Sequence, residues 1–219
     1  MKSEKEIHVY FMPGMCANSL IFERIKLPYE YKSHFLEWIQ PEKNESLNSY
    51  AKRLSLKIVH DNPILVGVSF GGVIVQEISK IIDVRKLIII SSIKSKKEMS
   101  NSMKFAKKTK SYKLLPVSWL DDFESLMAFV FGPKIKRRVD LYRKYLSVRN
   151  KYYLEWSIEK IINWDQEKSL KNIIHIHGTK DSIFPVNNIK NYIPVENGDH
   201  AIILKNADWL NDYFSENLF

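Results

Sequence analysis

Two short, unbroken apolar runs constrain the fold more than anything else in the chain. Residues 64–68 read Ile-Leu-Val-Gly-Val and residues 87–90 read Leu-Ile-Ile-Ile. Neither alternates polar with apolar residues, so neither suits a sheet with one wet face; both read as strands covered on both sides. Between them, 70–82 places Val73, Ile74, Ile78 and Ile81 at helical spacing. Strand, helix and strand in that order make a crossover unit with parallel strands. The alternation continues in both directions. Residues 7–12 (Ile-His-Val-Tyr-Phe-Met) form an apolar run that ends at the turn signal Pro13-Gly14. Residues 31–38 make a weaker strand closed by Pro41, and 47–60 carry Leu47, Ala51, Leu54 and Ile58 on one helical face before Asp61-Asn62-Pro63 breaks the pattern. Strands follow at 173–176 and 192–195, and 207–218 closes the chain as a helix. The expected fold class is α/β: a mostly parallel sheet of about six strands with helices on both faces.

The alternation fails between 94 and 164. This stretch offers no convincing strand but three helical segments: 118–130, opened by Ser118 with Asp121 and Asp122 in its first turn, then 134–150 after Gly132-Pro133, then 151–162. It reads as a helical insertion over one edge of the sheet, which divides the chain into a core of 1–93 with 165–219 and an insertion of 94–164. The insertion also holds the charge. The chain carries a formal net charge of +9; residues 94–160 contain 17 Lys and Arg against 7 Asp and Glu, a net of +10, and the remainder has 17 against 18, a net of −1. Runs of this kind are usually solvated helix faces; the competing reading is an electropositive surface that attracts an anionic partner. No internal repeat is present.

Composition closes off several classes. At 45% hydrophobic and 12% aromatic, the chain is not disordered, and 7 Gly and 8 Pro exclude collagen-like sequence. The lone cysteine, Cys16, forms no intrachain disulfide and excludes cysteine-based zinc and iron–sulfur centres. The polar start and the short apolar run behind it do not make a signal peptide, and the longest apolar stretch, 64–75, is too short for a membrane span. A soluble, cytoplasmic protein is expected.

The chemistry is concentrated in Gly67-Val68-Ser69-Phe70-Gly71, a G-x-S-x-G sequence between a buried strand and a helix. A sharp turn there exposes the serine hydroxyl above the sheet, and the helix N-terminus presents N–H groups to developing negative charge. Serine needs a base, and the later turns supply an acid and a histidine in order: Asp181 in His177-Gly178-Thr179-Lys180-Asp181, then His200 in Gly198-Asp199-His200. With these residues the sequence resembles the α/β-hydrolase superfamily over nearly its whole length. The resemblance implies a nucleophile–acid–histidine triad of Ser69, Asp181 and His200. It implies an oxyanion hole from the backbone N–H of Phe70 and of Met15, the latter in the turn Met12-Pro13-Gly14-Met15, although Pro13 stands where many members have His. It also places a cap where the helical insertion lies. The chain enters at what corresponds to the family's third strand, and only a small helix fits near 187–191. Both features imply a minimal version of the fold.

Other residues compete for these roles. Asp181 is also placed to cap the short helix after it, and Asp199 adjoins His200 too closely to orient it well. Asp121 and Asp122 read as helix-start residues, and Ser91-Ser92 stand where some members keep their acid. His175 and His177 read as structural, and Cys16 as a small packed residue. Met15, Met99, Met103 and Met127, with Phe105, Trp119, Phe123, Phe129, Phe131 and Trp156, are candidates to wall an apolar acyl pocket, although Met more often fills core gaps.

The expected function is a serine hydrolase that cleaves a carboxylic ester or thioester through an acyl-enzyme, with no metal and no cofactor. Its partner is a small-molecule acyl substrate, with an anionic group if the basic segment steers it. The alternative is a ligand-binding or receptor-like homologue with little turnover, since fold does not fix function. A nucleic-acid partner is not expected, because no recognised motif accompanies the basic segment. Oligomeric state is not legible.

Overall fold

The computed structural model describes residues 6–114 and 144–217. Within them, six strands form one sheet: β1 (Ile7–Met12), β2 (Tyr31–Phe35), β3 (Ile64–Val68), β4 (Lys86–Ile90), β5 (Ile173–Gly178) and β6 (Ile193–Val195). Their spatial order is β2-β1-β3-β4-β5-β6, and every neighbouring pair is parallel. The apolar runs explain why β3 and β4 are central. Leu65, Ile88, Ile89 and Ile90 are fully buried, and burying such a side chain contributes about 1.5–3 kcal/mol. The edge strand β2 buries none of its five side chains.

Helices α1 (Leu47–Ser55) and α2 (Phe70–Ile78) connect the early strands and pack on each other, and α2 covers β3 and β4. Both stop short of their sequence patterns. After Ser55 the chain tightens, with Lys57 N–H bonding to Leu54 O and Ile58 N–H to Ser55 O. Leu56 and Val59 then face solvent. Beyond Ile78, Lys80 bonds to Glu77 O and Ile81 to Ile78 O. These are three-residue turns that close a helix end rather than extend it. The second strand ends at Phe35 because Trp38 turns in and donates its indole N–H to Gly14 O at 3.0 Å.

Between β4 and β5 the described residues hold α3 (Asn101–Thr109) and α4 (Lys151–Asn163), which pack together. The helix expected at 118–130 lies outside the described residues, as does 134–143. Residues 144–150 are turn and irregular backbone, not the end of a helix. Their polar groups are committed elsewhere: Asn18 N–H bonds to Tyr145 O and Val148 N–H to Cys16 O. Trp164 donates to Glu77 at 2.8 Å, fastening the end of this segment to α2. A 3₁₀ turn at Val186–Asn188 takes the place of the small helix expected near 187–191. The short α5 (Ile202–Lys205) and α6 (Ala207–Asn217) complete the chain.

Candidate active site

Ser69 sits on the turn between β3 and α2 with φ 53° and ψ −121°. A non-glycine residue rarely adopts this backbone, and such strain costs on the order of 1–3 kcal/mol. Two contacts hold the turn. Ser69 N–H bonds to Ile90 O at 2.9 Å, and the Ser92 hydroxyl donates to Ser69 O at 2.7 Å. The flanking glycines are sterically required: a Cβ on Gly67 would lie 2.4 Å from Gly71 O, and one on Gly71 would lie 2.3 Å from Pro13 O. The motif therefore reflects close backbone approach on both sides of the serine.

His200 follows β6 and is buried. Its Nδ1 lies 2.7 Å from Asp181 Oδ2, and its Nε2 lies 2.9 Å from Ser69 Oγ. Ionised Asp181 only accepts, so Nδ1 carries the proton and Nε2 is left to accept the Ser69 hydroxyl. Asp181 is fixed in turn: its Oδ1 accepts the N–H groups of Ile183 at 2.8 Å and Phe184 at 3.0 Å. The structure thus brings Ser69, Asp181 and His200 together, and the carboxylate does cap the following turn as well. Asp199 turns away to accept Ala201 N–H and to pair with Lys205.

Behind Asp181 the hydrogen bonds continue. His177 Nε2 is 2.9 Å from Phe184 O and 3.3 Å from Asp181 Oδ2. The hydrogen bond runs to Phe184 O, which only accepts, so His177 carries its proton on Nε2 beside the carboxylate, and its Nδ1 then accepts from His175 Nε2 at 3.1 Å. Burial pushes the His177 imidazole below its ordinary value against the pull of Asp181. Burial, His177 and Lys94 push His175 well below it. Burial alone would raise the Asp181 carboxyl, but His200, His177 and the Phe184 amide outweigh it and hold it below the ordinary value. His177 was read from the sequence as structural; its contact with the carboxylate emerges only when 178–184 folds back over the end of β5.

Met15, Phe70, Ser69 and His200 line one cavity of about 310 Å³. Phe70 is the first residue of α2, where an N–H has no intrahelical acceptor. The Met15 turn is held by Trp38 and by Ala17 N–H, both bonded to Gly14 O. Cys16 is fully buried and burial pushes its thiol far up, which makes it an inert packed residue.

Among the described residues, Met15 and Met103 line the cavity as expected, whereas Phe105 and Trp156 do not. Ile158, Ile161 and Ile162 project from one face of α4, with Met103 from α3 and Phe184 opposite. Phe105 is 65% exposed, Met99 is packed in the core, and Trp156 is buried against Tyr50 with its indole N–H on Glu45 O. Trp119, Phe123, Met127, Phe129 and Phe131 lie outside the described residues. The i, i+3, i+4 spacing of the three isoleucines was the signal available for this wall.

No protein-family model matches the sequence, and no curated protein is significantly similar to it. Solved structures do match. An esterase from Exiguobacterium antarcticum superposes with a TM-score of 0.68 at 17% identity, covering 96% of this chain and 91% of that one. An alpha/beta hydrolase fold protein from Burkholderia ambifaria gives 0.65 at 14% identity, with 94% and 88% covered. A bromoperoxidase from Bacillus anthracis gives 0.65 at 16%, with 96% and 91% covered. At these identities the likeness is one of fold alone, and that fold is the α/β-hydrolase fold.

Proposed function

We propose that the protein is a serine hydrolase that cleaves a carboxylic ester or thioester. The observation that carries this reading is the continuous hydrogen-bonded chain Ser69–His200–Asp181 at the wall of an apolar cavity. Ser69 Oγ attacks the carbonyl carbon while His200 Nε2 takes its proton. Asp181 holds the tautomer and stabilises the imidazolium. The N–H groups of Met15 and Phe70 receive the oxyanion, a role in which each donor is worth about 100- to 1000-fold in rate. His200 then protonates the leaving group, and the same residue activates the water that releases the acid from Ser69. The chemistry calls for no metal and no cofactor.

A cavity of about 310 Å³ sits near the lower end of small-molecule sites, which run from about 300 to 1,000 Å³, so a compact acyl group is the expected occupant. The segment 94–164 acts as the cap on the core of 1–93 and 165–219, with Ile158, Ile161 and Ile162 choosing the acyl chain. Several of its cations have internal partners: Lys94 is buried against Glu98 and the carbonyls of Lys190 and Asn191, and Lys144 pairs with Glu23 at 2.6 Å. Steering of an anionic leaving group such as a phosphate-bearing thioester therefore rests on the remaining lysines. It predicts that kcat/KM for such a thioester falls as salt rises. Among the described residues no helix is long and apolar enough to cross a membrane.

The test is a fluorophosphonate probe read by intact mass. A single adduct on the wild type, absent from Ser69→Ala and slowed in His200→Ala, supports the hydrolase. No adduct, under conditions that label a control esterase, overturns it in favour of a ligand-binding homologue with little turnover.

A further inference from the structure

Three histidines lie apart from the triad. His8 is the second residue of β1, His34 lies on the edge strand β2, and His60 sits in the link from α1 to β3. Register explains how two of them meet. His34 stands beside Tyr10 across the parallel pair, and His8 shares the face of Tyr10 because strand side chains alternate. The link from α1 then brings His60 over the same face, where Tyr10 holds it: the hydroxyl lies 2.7 Å from His60 Nδ1 and accepts Val59 N–H at 3.2 Å.

The three rings converge. His8 Nδ1 is 3.0 Å from His34 Nε2, and one nitrogen from each ring falls within 4.8 Å of the others. We propose that His8, His34 and His60 form a binding site for a divalent transition-metal ion, with zinc as the reference ion. Imidazole nitrogens suit zinc, nickel and copper, and three of them leave one position for water. Zinc bound at about 2.0–2.1 Å holds tetrahedral ligand nitrogens about 3.3 Å apart, within the span already present. The rings of His8 and His60 are stacked, 12° from parallel with centroids 3.5 Å apart. In-plane lone pairs on parallel rings do not meet, so the ion seats with a rotation of one ring, and His60 on its loop is the ring free to turn. Tyr10 then serves as the outer-shell partner that orients His60. All three rings are partly exposed, which gives the ion a route in. The consequence is mechanical: the ion ties edge strand β2 to β1 and to the chain entering β3, where few buried side chains do so. This site is independent of the proposed hydrolysis.

The experiment strips the full chain with EDTA, removes the chelator and titrates zinc in competition with a chromophoric chelator, with melting temperature read alongside. The expected result is one equivalent bound at micromolar affinity or tighter and a melting temperature that rises with zinc. His34→Asn and His60→Asn should each weaken binding by about 100-fold or more, and Tyr10→Phe by about 10-fold. His200→Ala should bind as the wild type does, which separates this site from the triad. His60→Asn lies outside the sheet, and circular dichroism checks that it folds. Absence of saturable binding, binding unaffected by both substitutions, or binding lost only in His200→Ala would each overturn the proposal.

Discussion

His177 and His200 flank one buried carboxylate, with His175 behind His177; His8, His34 and His60 surround one another. In the first group Asp181 accepts from His200 and Phe184 O accepts from His177, and because both oxygens only accept, they dictate where each proton sits. The result is a line of hydrogen bonds from His175 through His177 and the Phe184 backbone to Asp181, His200 and the Ser69 hydroxyl. In the second group, among the described residues, no carboxylate hydrogen-bonds to any ring. Three ring nitrogens brought this close with no carboxylate bonded to them are suited to hold a cation once one ring turns. The difference teaches that the same side chain is fitted to carry a proton or to bind a cation according to whether a buried acid stands behind it.

The sharpest way to break this contrast is to remove groups from the first line. Ser69→Ala and His200→Ala should each reduce ester turnover by about 10⁴-fold or more, measured with an activated ester, and Asp181→Asn by a comparable factor through the wrong tautomer. Equal turnover in any of them would remove the triad. His177→Phe tests whether the line extends past the acid. Loss of its proton from the side of Asp181 should lower kcat by about 10- to 100-fold through misplacement of His200, with KM little changed and fluorophosphonate labelling slowed in step. A purely structural His177 would lower the melting temperature and leave kcat of the folded fraction intact.

Acid should act on the buried group next, with a contribution of the same sign from His8 and His34, which burial and neighbouring imidazoles also hold below their ordinary value. His175 and His177 have imidazoles held below their ordinary value by burial, so the unfolded chain binds protons that the native state refuses. Stability is therefore full above the unfolded value of about 6.5 and declines as pH falls below it. Asp181 adds its own loss only at lower pH, below about 3.9, because its carboxyl is also held down. Urea midpoints at about pH 7.5 and about pH 5.5 should show the decline. A flat profile would mean that these rings are not buried as neutral groups. The smallest effect is expected at Ser92→Ala, which removes the hydroxyl from Ser69 O and should cost about 1 kcal/mol, with a modest loss of kcat as the turn loosens.

Much of the site was legible because its signals are local. The strand before Ser69, the helix after it and the glycines around it are all set by neighbours in the chain. The ends of elements were less legible. The helical patterns past Ser55 and Ile78 continue in the sequence, but tight turns end both helices. Of the described aromatic residues expected at the cavity, Phe105 faces solvent and Trp156 packs in the core, while isoleucines on α4 line the cavity.

What the sequence determined by itself was the order of strands and helices, the strained serine turn, and the order of Ser69, Asp181 and His200 along the chain. These follow from hydrophobic period and turn chemistry, which act over a few residues. Tertiary structure alone decided which groups meet. Ser69 and His200 are 131 residues apart, and Asp181 acquires His177 only through the fold-back after β5. His8, His34 and His60 lie in three separate segments with no motif to link them. Their meeting depends on strand register and on where one loop crosses a sheet face, and both are settled by packing across the whole sheet.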